Sequence, residues 1–142
     1  MTRFVVDASV AIKWYLTEEH SAAAALLLAD EHERIAPELI IVESAQVLAR
    51  RQRLGEISLP EAQASLAALR DSTHLEESAS LVSAALDIAL THHRSVYDSL
   101  YVALAMREGC QLVTADRRLY NALSLPLPDT MLWIEDVPLA QR

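Results

Sequence analysis

Apolar positions recur along this chain in two rhythms, short β-branched runs and longer stripes at helical spacing, and their alternation predicts the order of elements. Arg3 to Val6 is a β-branched and aromatic run that ends in Asp7, and it reads as a first strand. A helix is predicted from about Val10 to Leu16. A second helix, opened by Ser21, runs through the alanine and leucine block to about Glu33. Ile35 and Ala36 form a brief extended piece before Pro37, a residue that suits a first helical turn. The spacing then predicts a helix from Pro37 to about Arg53, closed near Gly55. Ser58 and Glu61 form a capping-box pattern with Pro60 inside the first turn, opening a helix to about Arg70. Leu75 reads as a weak strand or loop. Glu76 to His93 reads as a long helix with Leu81, Ala84, Ala85 and Ile88 on one face.

The stretch from Ser95 to Asp116 is the most informative. Ser95 with Asp98 three residues on is a helix-start signature. Tyr97, Leu100, Tyr101 and Leu104 fall at helical spacing, and Gly109 stands where a left-handed cap is wanted. Leu112 and Val113 form a short strand ending in Thr114, Ala115 and Asp116. A helix from Arg117 to Leu123, a proline-broken loop and a closing strand from Met131 to Ile134 complete the chain. Strands alternating with helices imply right-handed crossovers and a central parallel sheet flanked by helices, so the predicted fold class is α/β.

Composition narrows the picture without changing it. The 142 residues suit one domain over residues 1–142, with 52% hydrophobic content and only two glycines. The strand beginning at Phe4 predicts no signal peptide. The longest apolar run, Ala22 to Ala29, is too short to span a bilayer, so no membrane association is expected. A single cysteine, Cys110, makes no internal disulfide; it reads as buried packing and a cytoplasmic setting is expected. The net charge of −8 argues against a whole surface built for nucleic acid, and leaves room for a local basic patch or an acidic centre that needs cations.

Four carboxylates carry the chemistry. Asp7 and Asp116 each end a predicted strand, and the carboxyl ends of parallel strands are where ligands are held. Asp98 lies in the first turn of a helix. Glu43 shares a helical stripe with Ile40 and Val47, so a face meant for the core bears a carboxylate, which is costly unless paired or neutralised. If the four converge, something positive must offset their repulsion. An all-oxygen set suits Mg²⁺ or Mn²⁺, ions that activate water and neutralise charge at phosphorus. Each aspartate also has an ordinary reading as a helix cap or first-turn acid. Ser9 and Thr114 are candidates to orient a carboxylate or a water. Lys13, Arg117 and Arg118 are candidates for phosphate contact because they lie near Asp7 and Asp116. His92 and His93 suit a helix C-terminus, Arg50, Arg51 and Arg53 a solvated helix end, and Trp14 and Tyr15 either core packing or base stacking.

Four segments, VVDASVAIKW, PELIIVESAQVL, VYDSLYVALA and VTADRRLYNAL, together resemble the PIN-domain nucleases, and more narrowly the VapC-type toxins of bacterial toxin–antitoxin modules. The resemblance runs from about Arg3 to Leu123. It places the family's four acidic positions on Asp7, Glu43, Asp98 and Asp116, as catalytic and metal-holding residues, and its serine and threonine on Ser9 and Thr114. It implies an endoribonuclease that uses Mg²⁺ or Mn²⁺, acts on RNA, often forms a homodimer, and is silenced by a cognate antitoxin. PIN domains in RNA processing and a non-catalytic metal-binding interaction module are the alternatives. A phosphoacceptor receiver domain shares the length and the acidic pocket, but needs adjacent acids after the first strand, and here Asp7 is followed by Ala8.

Overall fold

The computed structural model of the chain describes residues 2–139. At its centre is a five-stranded sheet of β1 (Thr2–Val6), β2 (His32–Pro37), β3 (His74–Glu76), β4 (Gln111–Thr114) and β5 (Met131–Trp133). All neighbours are parallel and the order is β3-β2-β1-β4-β5. The helices are α1 (Ala8–Ala11), α2 (Ser21–Ala25), α3 (Leu39–Arg53), α4 (Leu59–Ser72), α5 (Val82–His92), α6 (Val96–Glu108) and α7 (Arg117–Leu123). The sheet is covered on both faces, which is why β1 carries consecutive buried residues, Phe4, Val5 and Val6, rather than an alternation.

Strand order decides where a ligand sits. The chain adds β2 and β3 on one side of β1, then returns to add β4 and β5 on the other. The reversal therefore falls between β1 and β4, and the crevice at the carboxyl ends of those two strands is the binding position of an open parallel sheet. Val6 pairs with Val113, so Asp7 emerges beside Thr114.

Several predicted boundaries move, each for a tertiary reason. The helix expected from Ser21 to Glu33 stops at Ala25, followed by a 3₁₀ turn over Leu26–Leu28, and β2 begins at His32. Arg34 fixes that break: Nη1 donates to the carbonyls of Leu27 at 2.7 Å and His32 at 3.2 Å, while Nε donates to Ser72 O at 2.9 Å. Pro37 does not open a helix but ends β2, and Glu38 N–H extends the pairing to Glu76 O at 2.8 Å before α3 starts at Leu39. Glu76 ends β3, and a 3₁₀ turn over Ser78–Leu81 precedes α5. Tyr97 was expected on the apolar face of its helix and is instead 64% exposed. From Ser99 to Ala105 α6 is buried all round, the pattern of a helix enclosed by the domain rather than lying on it.

The expected caps are present. Ser58 and Glu61 bond reciprocally at the start of α4, and Ser95 Oγ accepts the Asp98 N–H at 3.0 Å at the start of α6. Gly109 closes α6 with φ +63, and a Cβ there would meet nothing within 4 Å. Its cost is therefore conformational alone, and Gly109→Ala is expected to lower stability by about 1 kcal/mol in a urea melt. Cys110 is half-buried against the core. Trp14 donates its indole N–H to Ala24 O at 2.9 Å, and both Trp14 and Tyr15 pack on the core. Among the described residues no helix is long and apolar enough to cross a membrane.

Candidate metal centre

Asp7 follows β1 directly and caps α1, accepting the Val10 N–H at 3.2 Å. It is only 5% exposed. Two hydroxyls hold the carboxylate: Ser9 donates to Oδ1 and Thr114 to Oδ2, each at 2.5 Å. Both hydroxyls are themselves fixed by the chain, accepting the N–H groups of Ala115 and Asp116 at 3.0 Å. Burial pushes the Asp7 carboxyl up to about 6 despite these donors, and the Asp116 charge adds to the rise.

Asp116 caps α7, with Oδ1 accepting the N–H groups of Arg118 at 3.0 Å and Leu119 at 3.3 Å. Asp98 is the third residue of α6. Burial raises its carboxyl, Asp116 raises it further, and Arg94 acts in the opposite direction. Glu43 lies half-buried on α3, raised first by burial and then by Asp98. Its carboxylate is reached from α6 by Tyr101, which donates to Oε1 at 2.6 Å. Burial, with Glu43, Asp7 and Asp98 around it, holds the Tyr101 hydroxyl well above its ordinary range, so it stays a neutral donor.

The four acids thus lie in one another's fields. Asp116 acts on Asp7 and on Asp98, Asp98 acts on Glu43, and the Tyr101 hydroxyl feels Asp7, Glu43 and Asp98. Among the described residues no ion pair includes any of the four. Every group that anchors them by a hydrogen bond is neutral. This is an oxygen-only set whose negative charge Arg94 offsets only in part, at Asp98, and it fits a hard divalent cation. Among the described residues no three acidic, histidine or cysteine side chains close into a ready-made cage. Repulsion keeps like charges apart, and Mg²⁺ in particular keeps several waters and takes only one or two carboxylates directly. A cleft of about 570 Å³ runs up to Ser9 and Glu43, walled by Ile12, Val42, Val47 and Tyr97.

The PIN domain family model matches residues 4–123, which is most of the chain. This chain belongs to the PIN-domain family. It is 33% identical over 120 residues to Ribonuclease VapC3 of Pyrobaculum aerophilum, covering 82% of this chain and 92% of that protein. The fold is similar to that of PAE2754 from Pyrobaculum aerophilum, with a TM-score of 0.73 and 22% identity over 94% of this chain and 85% of the other. It is also similar to Mycobacterium tuberculosis VapC20, a sarcin–ricin-loop-cleaving toxin, with a TM-score of 0.66 and 22% identity over 84% and 94% of the two chains. VapBC2 from Rickettsia felis, solved with a promoter DNA fragment, matches with a TM-score of 0.65 and 10% identity over 93% and 98%.

The basic residues around the centre of this PIN domain are arranged differently from their order in the sequence. Lys13 turns to Glu18, with Nζ to Oε1 at 3.1 Å, and Arg51 engages the same carboxylate. Arg117 lays its guanidinium over Trp133, 3.6 Å from the ring centroid, and Arg118 is exposed. Arg94, which spacing did not single out, is the arginine whose charge reaches Asp98. Helical spacing marks Tyr101 only as part of an apolar face. The signal for it was available: a buried tyrosine hydroxyl needs a partner, and Tyr101 stands one helical turn from Asp98.

Proposed function

We propose that this chain is a metal-dependent endoribonuclease, one nuclease domain over residues 1–142, that serves as the toxin of a toxin–antitoxin pair. The observation that supports the reading is a run of neighbouring carboxylates, Asp7 beside Asp116, Asp116 beside Asp98 and Asp98 beside Glu43, with neutral donors anchoring Asp7 and Glu43. Asp7, Glu43, Asp98 and Asp116 would hold Mg²⁺ or Mn²⁺. When bound, such an ion supplies water activation and charge neutralisation for an in-line displacement at phosphorus. Ser9 and Thr114 keep both Asp7 oxygens in place, so the buried acid cannot turn away from its neighbours. We assign Arg117 and Arg118, next to Asp116, to substrate phosphates, with Lys13 joining them when its pair with Glu18 opens.

Support for RNA as substrate comes from the relatives, one a ribonuclease and one a toxin that cleaves the sarcin–ricin loop. Support for an antitoxin comes from a structural neighbour solved as a toxin–antitoxin complex from Klebsiella pneumoniae. The apolar cleft beside Glu43 gives such a partner a surface next to the acids. A homodimer is supported by the exposed stripe of Val82, Leu86 and Leu90 at helical spacing on α5. A cytoplasmic setting accords with the single, half-buried cysteine.

Purified protein incubated with a structured RNA is expected to give internal cuts with Mg²⁺ or Mn²⁺, none with excess chelator, and cuts again when the ion is restored. Cleavage that survives chelation would refute the metal reading. Expression alone is expected to arrest growth, and normal growth of hosts containing active protein would refute the toxin role.

A further inference from the structure

We infer that Tyr101 is a positioning residue of the acidic centre, its hydroxyl setting the Glu43 carboxylate for the cation; this rests on the reading of the centre as a divalent-metal site. Tyr101 follows Asp98 by three residues on α6, so one helix delivers both a carboxylate and a hydroxyl to the same side. Tyr101 is 2% exposed, so its hydroxyl is held inside the domain. The bond to Glu43 Oε1 at 2.6 Å crosses from α6 to α3 between residues 58 positions apart.

Glu43 is a long side chain on a helix surface and would otherwise sample several rotamers. Asp98 repels it, so without an anchor it would swing outward along the open cleft. A hydroxyl supplies the anchor at one oxygen and leaves Oε2 open, since among the described residues this is the one hydrogen bond the Glu43 carboxylate makes. A basic residue in the same place would also anchor Glu43, but it would cancel the charge a cation needs. Ser9 and Thr114 treat Asp7 in the same way. Partners that orient metal ligands are typically worth 10–100-fold in metal affinity.

The test is a calorimetric titration of Mn²⁺ into wild type and Tyr101→Phe, with melting measured on both with and without the ion. Tyr101→Phe keeps the ring in its slot, so helix content should match wild type. Its Mn²⁺ affinity is expected to fall ~10-fold or more, with a smaller rise in melting temperature on adding Mn²⁺. Tyr101→Leu serves as a second variant and should show the same loss of affinity. Placed in a Glu43→Gln background, Tyr101→Phe should add little, because the carboxylate it orients is gone. Equal Mn²⁺ affinity in wild type and Tyr101→Phe would overturn the inference, as would a full additive loss in the Glu43→Gln background. If wild type itself binds no Mn²⁺, the metal-site reading falls and this inference falls with it.

Discussion

Asp98→Asn is expected to lower RNA cleavage by ~100-fold or more while the protein melts at or above the wild-type temperature. The two halves of that result separate the roles of the residue. The start of α6 is satisfied by Ser95, whose Oγ accepts the Asp98 backbone N–H. The reciprocal side-chain bond that closes the box at Ser58 and Glu61 is not among the hydrogen bonds at Ser95 and Asp98. Removing the carboxylate charge therefore leaves the cap in place. It also removes repulsion, because the Asp98 carboxyl is raised by burial and then by Asp116, and itself raises Glu43. An Asp98 that only supported the helix would give the opposite pattern, a loss of about 1 kcal/mol with cleavage untouched. Melting and cleavage measured on one preparation decide between them.

Asp7→Asn is expected to match that loss of cleavage and, in addition, to change how stability depends on pH. The Asp7 carboxyl is raised from 3.8 to about 6, mainly by burial. A raised carboxyl binds its proton more tightly folded than unfolded, so protonation favours the folded chain. The stabilisation is complete below about pH 4 and is lost as pH rises through about 6. Without metal, wild type should therefore lose on the order of 3 kcal/mol relative to Asp7→Asn between pH 4 and pH 7. The amide can be accommodated because Ser9 and Thr114 each have a second lone pair to offer its N–H₂ group. Urea melts of both proteins in chelator across that range measure the difference. Parallel curves would mean that burial does not raise the Asp7 carboxyl. Saturating Mn²⁺ should remove most of the slope from wild type alone.

What could be read from the sequence was what local chemistry determines. Ser58 with Glu61, Ser95 with Asp98, and Gly109 mark helix ends through groups a few residues apart, and all three ends lie where spacing predicted. The runs before Asp7 and Asp116 are strands because β-branched and aliphatic residues there are buried on both faces. The break between α2 and β2 was hidden because a residue outside the helix makes it: Arg34 takes the Leu27 carbonyl, against the propensity of an alanine and leucine block. Pro37 misled for a similar reason, since its place in β2 depends on β3, nearly forty residues on. The acids themselves were legible, two as strand-end residues and Glu43 as a charge on an apolar stripe. Their supports were not. Periodicity marks Tyr101 as one apolar position of α6, but not that its hydroxyl finds Glu43 on another helix. Likewise, nearness in sequence suggested Lys13 as a phosphate contact, while the fold pairs it with Glu18.

The most direct measurement is an anomalous difference map from a crystal of this protein soaked in Mn²⁺. A peak is expected among Asp7, Glu43, Asp98 and Asp116, at the carboxyl ends of β1 and β4, with no such peak in an Asp98→Asn crystal soaked in the same way. A wild-type crystal with that position empty, at Mn²⁺ concentrations that support cleavage in solution, would contradict it.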